Sequence, residues 1–192
     1  MNRQKKIIVN FWYEGNTEEY YLKRLAKDFQ GRNIKFEYKN LNGGNYKSIC
    51  SKLERSQYTS NIFIILDLDR ATNQEEKRSL EKLIRIIKKM QCKIFLTYKN
   101  FEDWLRFHCE DRPSEERFYR KFNVSGASEF KSRYKDFCEE IYQQGEGITR
   151  AEEYFKNIIP YCDKNFTIQA EQINAMHSSL FALRDCLREL TP

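Results

Sequence analysis

The sequence predicts an α/β protein: a parallel four-stranded sheet flanked by helices, with a helical C-terminal half. Three observations predict it. Strand-like and helix-like segments alternate through the first hundred residues, the order that builds parallel sheets through crossover connections. The stretch NIFIILDLD (61–69) is apolar almost without interruption, as a strand buried on both faces must be. Beyond about residue 99 the apolar residues recur at helical spacing.

The elements follow in order. Residues 5–13 read as a strand that stops on Glu14 and Gly15, where glycine allows a sharp turn. TEEYYLKRLAKDF (17–29) reads as a helix with Tyr21, Leu22, Leu25 and Phe29 on one face. Residues 33–41 alternate like a strand, NGGN (42–45) is a turn, and 46–56 is helical. After the strand 61–69 comes a helix over 74–90. Leu80, Leu83, Ile84 and Ile87 are its buried stripe, and Arg78, Lys82, Arg85 and Lys89 line its other side, read as a solvated face before a nucleic-acid track. CKIFLTY (92–98) is the fourth strand. The helices of the second half are NFEDWLRFHCE, PSEERFYRKF, ASEFKSRYKDFCEEIYQQ, ITRAEEYFKNII and TIQAEQINAMHSSLFALRDCLREL, with Asn100, Ser114, Ser125 or Ser128, and Thr167 as caps. The chain thus divides into an α/β domain (1–110) and a helical extension (111–192) packed on it.

Composition narrows the function classes. A chain of 192 residues, 40% hydrophobic and 15% aromatic, builds a real core. Its longest apolar runs fall far short of a membrane span, and MNRQKK leads into a strand without a cleavage site, so a cytoplasmic protein without membrane partner is expected. The six cysteines (Cys50, Cys92, Cys109, Cys138, Cys162 and Cys186) are scattered without a CxxC pair, which points to reduced, structural thiols and away from zinc. A net charge of +6 permits a polyanionic partner.

Three acidic clusters stand out: Glu14 with Glu18 and Glu19; Asp67 and Asp69; and Glu102 with Asp103. All lie at or just beyond the ends of predicted strands, and the carboxyl ends of parallel strands share one edge, so the clusters converge there. Asp67 and Asp69, at i and i+2 of a strand, would share a face about 7 Å apart. Converging carboxylates repel unless a cation neutralises them, and all-oxygen donors favour Mg2+ or Mn2+. Plainer readings exist for some members. Asp69–Arg70 suits a strand-end turn, and Glu18 and Glu19 suit the first turn of any helix.

These residues carry a resemblance. Glu14-Gly15-Asn16-Thr17-Glu18 after the first strand and Asp67-Leu68-Asp69 after the third resemble the Toprim domain, the magnesium-dependent catalytic domain of topoisomerases, primases and OLD-type nucleases. TYKNFEDWLRFH (97–108) is similar to the S-N-x-x-F-E-x-W-L-x-x-H segment of RloB-like proteins, bacterial Toprim proteins of anti-phage and abortive-infection loci, with Phe101, Glu102, Trp104, Leu105 and His108 on the pattern. Asn16 stands alone where that family has two residues, position 97 is Thr for Ser, and a later N-P-S-T-like segment is blurred into HSSLFAL (177–183).

The resemblance implies a Toprim-like fold and a nuclease. Glu14 would be acid/base or metal ligand, Asp67 and Asp69 would hold Mg2+ (or Mn2+), and Glu102 would add a catalytic carboxylate, supported by Glu18, Trp104 and His108. Phe101, Trp104, Leu105 and His108 also share one helical face. Trp104 and Leu105 therefore read as core, and His108 as a buried histidine tying this helix to the sheet. The chain leaves no room for strand passage, so hydrolysis of DNA or RNA, including tRNA, is expected. An AAA/ABC-type ATPase partner is implied. The alternative is a non-catalytic subunit that binds the ATPase or nucleic acid. Nucleic-acid contacts are expected from Lys99, just after the fourth strand, and from Arg117, Arg120 and Lys121 of RFYRKF with Lys131 and Arg133. Aromatics interleave with charge there, as in single-strand binders, although Phe118 and Phe122 at i, i+4 also suit a core.

Overall fold

The computed structural model describes residues 6–56, 61–71, 73–90, 92–97, 99–158 and 178–190. Four parallel strands form one sheet in the order β2-β1-β3-β4: β1 Ile7–Tyr13, β2 Ile34–Asn40, β3 Ile62–Asp67 and β4 Lys93–Thr97. Helices α1 (Asn16–Lys27), α2 (Tyr46–Glu54) and α3 (Gln74–Lys89) connect them. The second half adds α4 (Phe101–Arg106), α5 (Glu115–Lys121), α6 (Ala127–Tyr142), α7 (Glu146–Ile158) and α8 (Leu183–Glu189), with 3-10 turns at Gln143–Gly145 and Leu180–Ala182.

Alternation along the strands makes two cores. Trp12, Ile62, Ile64, Leu66, Ile94 and Leu96 face α2 and α3, where Leu80, Leu83, Ile84 and Ile87 form the buried stripe. Val9, Phe11, Tyr13, Phe63, Ile65 and Phe95 face the other way. That second core joins α1 to the helical half through Phe118, Phe130, Tyr134, Ile148 and Leu183. One face of the sheet is therefore closed by local crossovers and the other largely by the last eighty residues. Each fully buried Leu, Ile or Phe contributes about 1.5–3 kcal/mol.

Chain order sets the position of the site. From β1 the sheet grows in two directions, to β2 on one side and to β3 on the other. The crevice between β1 and β3 at their carboxyl ends is the topological switch point, the ligand position of open α/β sheets.

Several local expectations change. β3 ends at Asp67, so Asp69 lies in the turn beyond it and does not share a strand face with Asp67. Gly15 has φ −147°, an ordinary extended value. Its lack of a side chain serves instead to admit Glu18, whose Oε2 would lie 3.1 Å from an added Cβ. Gly126, not Ser125 or Ser128, is the N-cap of α6, and Ser125 turns back to donate through its N–H and hydroxyl to Glu129, both at 2.8 Å. Asn100 and Ser114 do cap α4 and α5. Within TIQAEQINAMHSSLFALRDCLREL the described part is a 3-10 turn and the short α8, while Thr167, Cys162 and His177 lie outside the described residues. Cys50, Cys92, Cys109, Cys138 and Cys186 are buried and free. Among the described residues no helix is long and apolar enough to cross a membrane.

The two sheet edges differ. β2 carries Lys35, Glu37 and Lys39 along an edge that no strand pairs with among the described residues, charges that discourage pairing with another chain. At β4 the edge is sealed from far along the chain. The Ser179 N–H donates to the Leu96 carbonyl, and the Leu96 N–H donates to Ser179 Oγ, both at 2.8 Å.

Candidate functional site

The switch-point crevice opens into a cleft of about 450 Å3 whose lining includes Glu14, Glu18, Asp67, Asp69, Arg70 and Lys131. Each arrives by a different route. Glu14 is the first residue after β1 and Asp67 the last of β3, while Glu18 stands in the first turn of α1. Asp69 and Arg70 belong to the turn after β3, and Lys131 descends from α6. Glu102, in the first turn of α4, is 2% exposed behind the cleft, and its Oε2 lies 3.3 Å from Lys131 Nζ.

Second contacts hold the floor in place. The Thr97 hydroxyl donates to Asp67 Oδ1, a contact that follows from the pairing of these two strand ends. Tyr46 Oη donates to the Asp67 carbonyl at 2.7 Å, and Leu68 N–H donates to the Thr97 carbonyl at 2.9 Å. On the β1 side, Gly43 N–H donates to the Glu14 carbonyl at 3.1 Å.

The carboxylates themselves are poorly compensated. Glu14 Oε1 and Glu102 Oε1 are buried with no hydrogen-bond partner among the described residues, and Glu102 Oε2 faces the Lys131 ammonium at 3.3 Å. Burial and then the Asp67 charge push the Glu14 carboxyl up to about 8. Glu18 rises to about 7, through burial first and then the charges of Glu102 and Glu14. Burial, joined by Glu18, lifts Asp67 well above the usual range. Burial also raises Glu102, against the pull of Lys131. For the Lys131 ammonium burial works the other way, but Glu102, Asp67 and Glu18 outweigh it and its pKa rises. The cleft thus gathers more carboxyl groups than Lys131 and Arg70 can hold in charged form, and they retain protons to higher pH than free carboxyls do. Among the described residues no three Asp, Glu, His or Cys side chains stand close enough as placed to grip one metal ion.

The structure does not unite the other expected residues with this cleft. Arg117, Arg120 and Lys121 line a separate cavity of about 790 Å3 with Arg150 and Glu146. There Arg117 pairs with Asp111 at 3.1 Å and Arg120 with Glu116 at 2.7 Å. Arg133 pairs with Glu129 at 3.3 Å on α6. Lys99 is exposed past β4, with a left-handed φ of 55°. Phe118 and Phe122 are 0% and 5% exposed, so they are core and not stacking platforms for bases.

Trp104 and His108 are buried as well, at 1% and 0% exposure. Trp104 Nε1 donates to Tyr21 Oη at 3.1 Å, and Tyr21 Oη lies 3.2 Å from His108 Nε2. His108 Nδ1 lies 3.1 Å from the Trp104 carbonyl. One tautomer satisfies every member: Nδ1–H donates to the carbonyl and Nε2 accepts from tyrosine. Burial lowers the His108 pKa to about 3, which keeps the ring neutral. This ring of bonds ties α4 to α1.

The family model for RloB-like proteins matches residues 11–178. The chain belongs to the RloB-like family. No curated protein and no solved structure matches it. In this RloB-like protein the matched span runs from within β1 to the residue just before the Ser179 contacts. It includes every carboxylate of the cleft, the α4 segment and α6 with Lys131, so the family pattern extends over both halves of the chain. Residues sequence reasoning did not single out are Thr97 as the Asp67 partner, Arg70 as a cleft wall, and Ser128 and Ser132 beside Lys131. Only Thr97 had a readable signal, as the polar end of a strand otherwise apolar in its interior.

Proposed function

We propose that this RloB-like protein is a metal-dependent nuclease of the Toprim type, hydrolysing phosphodiester bonds of DNA or RNA. The carrying observation is the cluster of buried, undercompensated carboxylates at the switch point. Its oxygens suit a hard divalent ion, Mg2+ or Mn2+, and the partnerless Glu14 Oε1 is an acceptor in want of a cation. Glu14, Asp67 and Asp69 are the residues that would hold it, with side-chain turns, water and phosphate oxygens completing the shell. Such an ion supplies charge stabilisation at the phosphate and a more acidic bound water.

The remaining work belongs to the chain. Thr97 fixes the Asp67 carboxylate by its hydrogen bond. Lys131, half-exposed on the wall, binds a phosphate oxygen as its pairing with Glu102 loosens. Glu14, whose carboxyl is pushed up to about 8 in the ion-free fold, must lose that proton to act as a ligand, so ion binding should release a proton and strengthen as pH rises. Glu102 adds to the negative field behind Lys131. A role in anti-phage defence, gated by an AAA/ABC-type ATPase, follows from the resemblance alone.

The second reading is a Toprim-fold subunit that binds the ATPase or nucleic acid without cleaving. One observation favours it, the lack of any ready-made three-ligand cage among the described residues. Plasmid DNA and total tRNA, incubated with Mg2+ or Mn2+ and with Glu14→Gln protein as control, decide between them. Cutting by the wild type alone is expected. Equal cutting by both proteins, or none with the ATPase present, overturns the nuclease reading.

A further inference from the structure

The acidic floor of the cleft is recessed, and one wall above it is braced. Asp67, Glu18 and Glu102 are 7%, 6% and 2% exposed, so the acidic floor lies below the surface. The space above it, about 450 Å3, is at the lower end of the roughly 300–1,000 Å3 that receives one small molecule. One wall is α6, through Ser128, Lys131 and Ser132.

That wall is secured at both ends. Near its C-terminus Glu139 receives Arg24 Nε at 2.6 Å and Lys27 Nζ at 2.9 Å, both from α1. Tyr142 Oη donates to Asp28 at 2.6 Å. At the cleft end Lys131 meets Glu102 at 3.3 Å. Beneath these polar ties Phe130, Tyr134 and Phe137 are buried in the core, so displacing α6 would expose several aromatic rings.

We propose that the cleft takes single-stranded nucleic acid and excludes the duplex; the inference rests on the hydrolytic reading of the same site. In a duplex each phosphate is carried on a stiff ridge beside a major groove about 12 Å across and a minor groove about 6 Å across. A phosphate on such a ridge reaches a floor recessed beside α6 only if that helix leaves room for the flanking backbone and the opposite strand. A single strand bends at every nucleotide and lets one phosphate dip to the floor. No aromatic side chain is found in the cleft lining among the described residues. The cleft therefore holds phosphate and sugar without a stacking platform for the base, and the preference for single strands arises from shape, not from base reading.

The test offers the full-length protein, with Mg2+, a fluorescein-labelled 12-nucleotide single strand, the blunt duplex of the same sequence, and that duplex with a six-nucleotide overhang. Binding is read by anisotropy and cutting on a gel. Expected is at least tenfold tighter binding of the single strand than of the blunt duplex, with affinity recovered by the overhang. Lys131→Glu should weaken single-strand binding at least fivefold, with an unchanged circular dichroism spectrum as the check on folding. Equal or tighter binding of the blunt duplex overturns the proposal, and so does failure to bind any of the three. Preferential single-strand binding without cutting, the ATPase being present, would leave the proposal standing and remove the hydrolytic reading. Equal cutting of single strand and blunt duplex would do the reverse.

Discussion

Glu14 shows how a single side chain reports on its surroundings. Its carboxyl sits near 8 in the fold against 4.5 in water. Between those values the native state keeps a proton that the unfolded chain has released, so stability present at low pH is lost as pH rises through 8. Glu14→Gln removes that loss. In EDTA the variant should match the wild type at pH 5 and melt several degrees higher at pH 8.5, at about 2–4 °C per kcal/mol for a chain of this size. Differential scanning fluorimetry at the two pH values checks it, and a constant difference would place the shift elsewhere. Tyr21→Phe acts on the buried ring of bonds. It leaves Trp104 Nε1 and His108 Nε2 without the tyrosine hydroxyl they share and should cost about 1–3 kcal/mol in urea unfolding. At this scale the convergence of Glu14 and Asp67 on one cleft was legible, because the carboxyl ends of parallel strands share one edge. The Lys131–Glu102 pair was not. Its members lie on different helices of the second half, and their meeting depends on how α6 crosses the sheet edge, which no local pattern encodes.

Among the elements, strands and helices followed their periodicity wherever one face was buried. The stripe of α3 is the clearest case. Boundaries were less legible. Asp69 continues the apolar run in sequence, yet the chain turns after Asp67, because Leu68 donates its N–H to Thr97 while β4 stops there. The cap of α6 escaped because two serines flank a glycine, and the choice among them is made by Glu129 reaching back. The seal on β4 was invisible for a different reason: Ser179 is 83 residues from Leu96. Ser179→Ala should cost about 1–3 kcal/mol, since it strands a buried backbone N–H. Hydrogen exchange at the Leu96 amide should quicken, and unchanged protection there would contradict the contact.

At the level of the molecule, the sheet was predictable as a sheet, but not how its second face is covered. α1 alone cannot bury Val9, Phe11, Phe63 and Phe95, and residues from α5, α6, α7 and α8 complete that core. A chain of residues 1–110 should therefore show no cooperative urea transition and should bind a hydrophobic dye. A sharp two-state transition in that fragment would mean that the α/β half closes its own core. The same packing makes the cleft a property of the whole chain, since Lys131 and the serines beside it come from the half that carries no strand.

The late contact at β4 has a consequence for synthesis. Ribosomes add roughly 5–20 residues per second, so the strand leaves the tunnel several seconds before Ser179 can reach it. Through that interval the nascent chain carries an unpaired strand edge, a template for pairing with a neighbour on the same message. Slow codons after β4 should therefore lower soluble yield, whereas those before β4 should not.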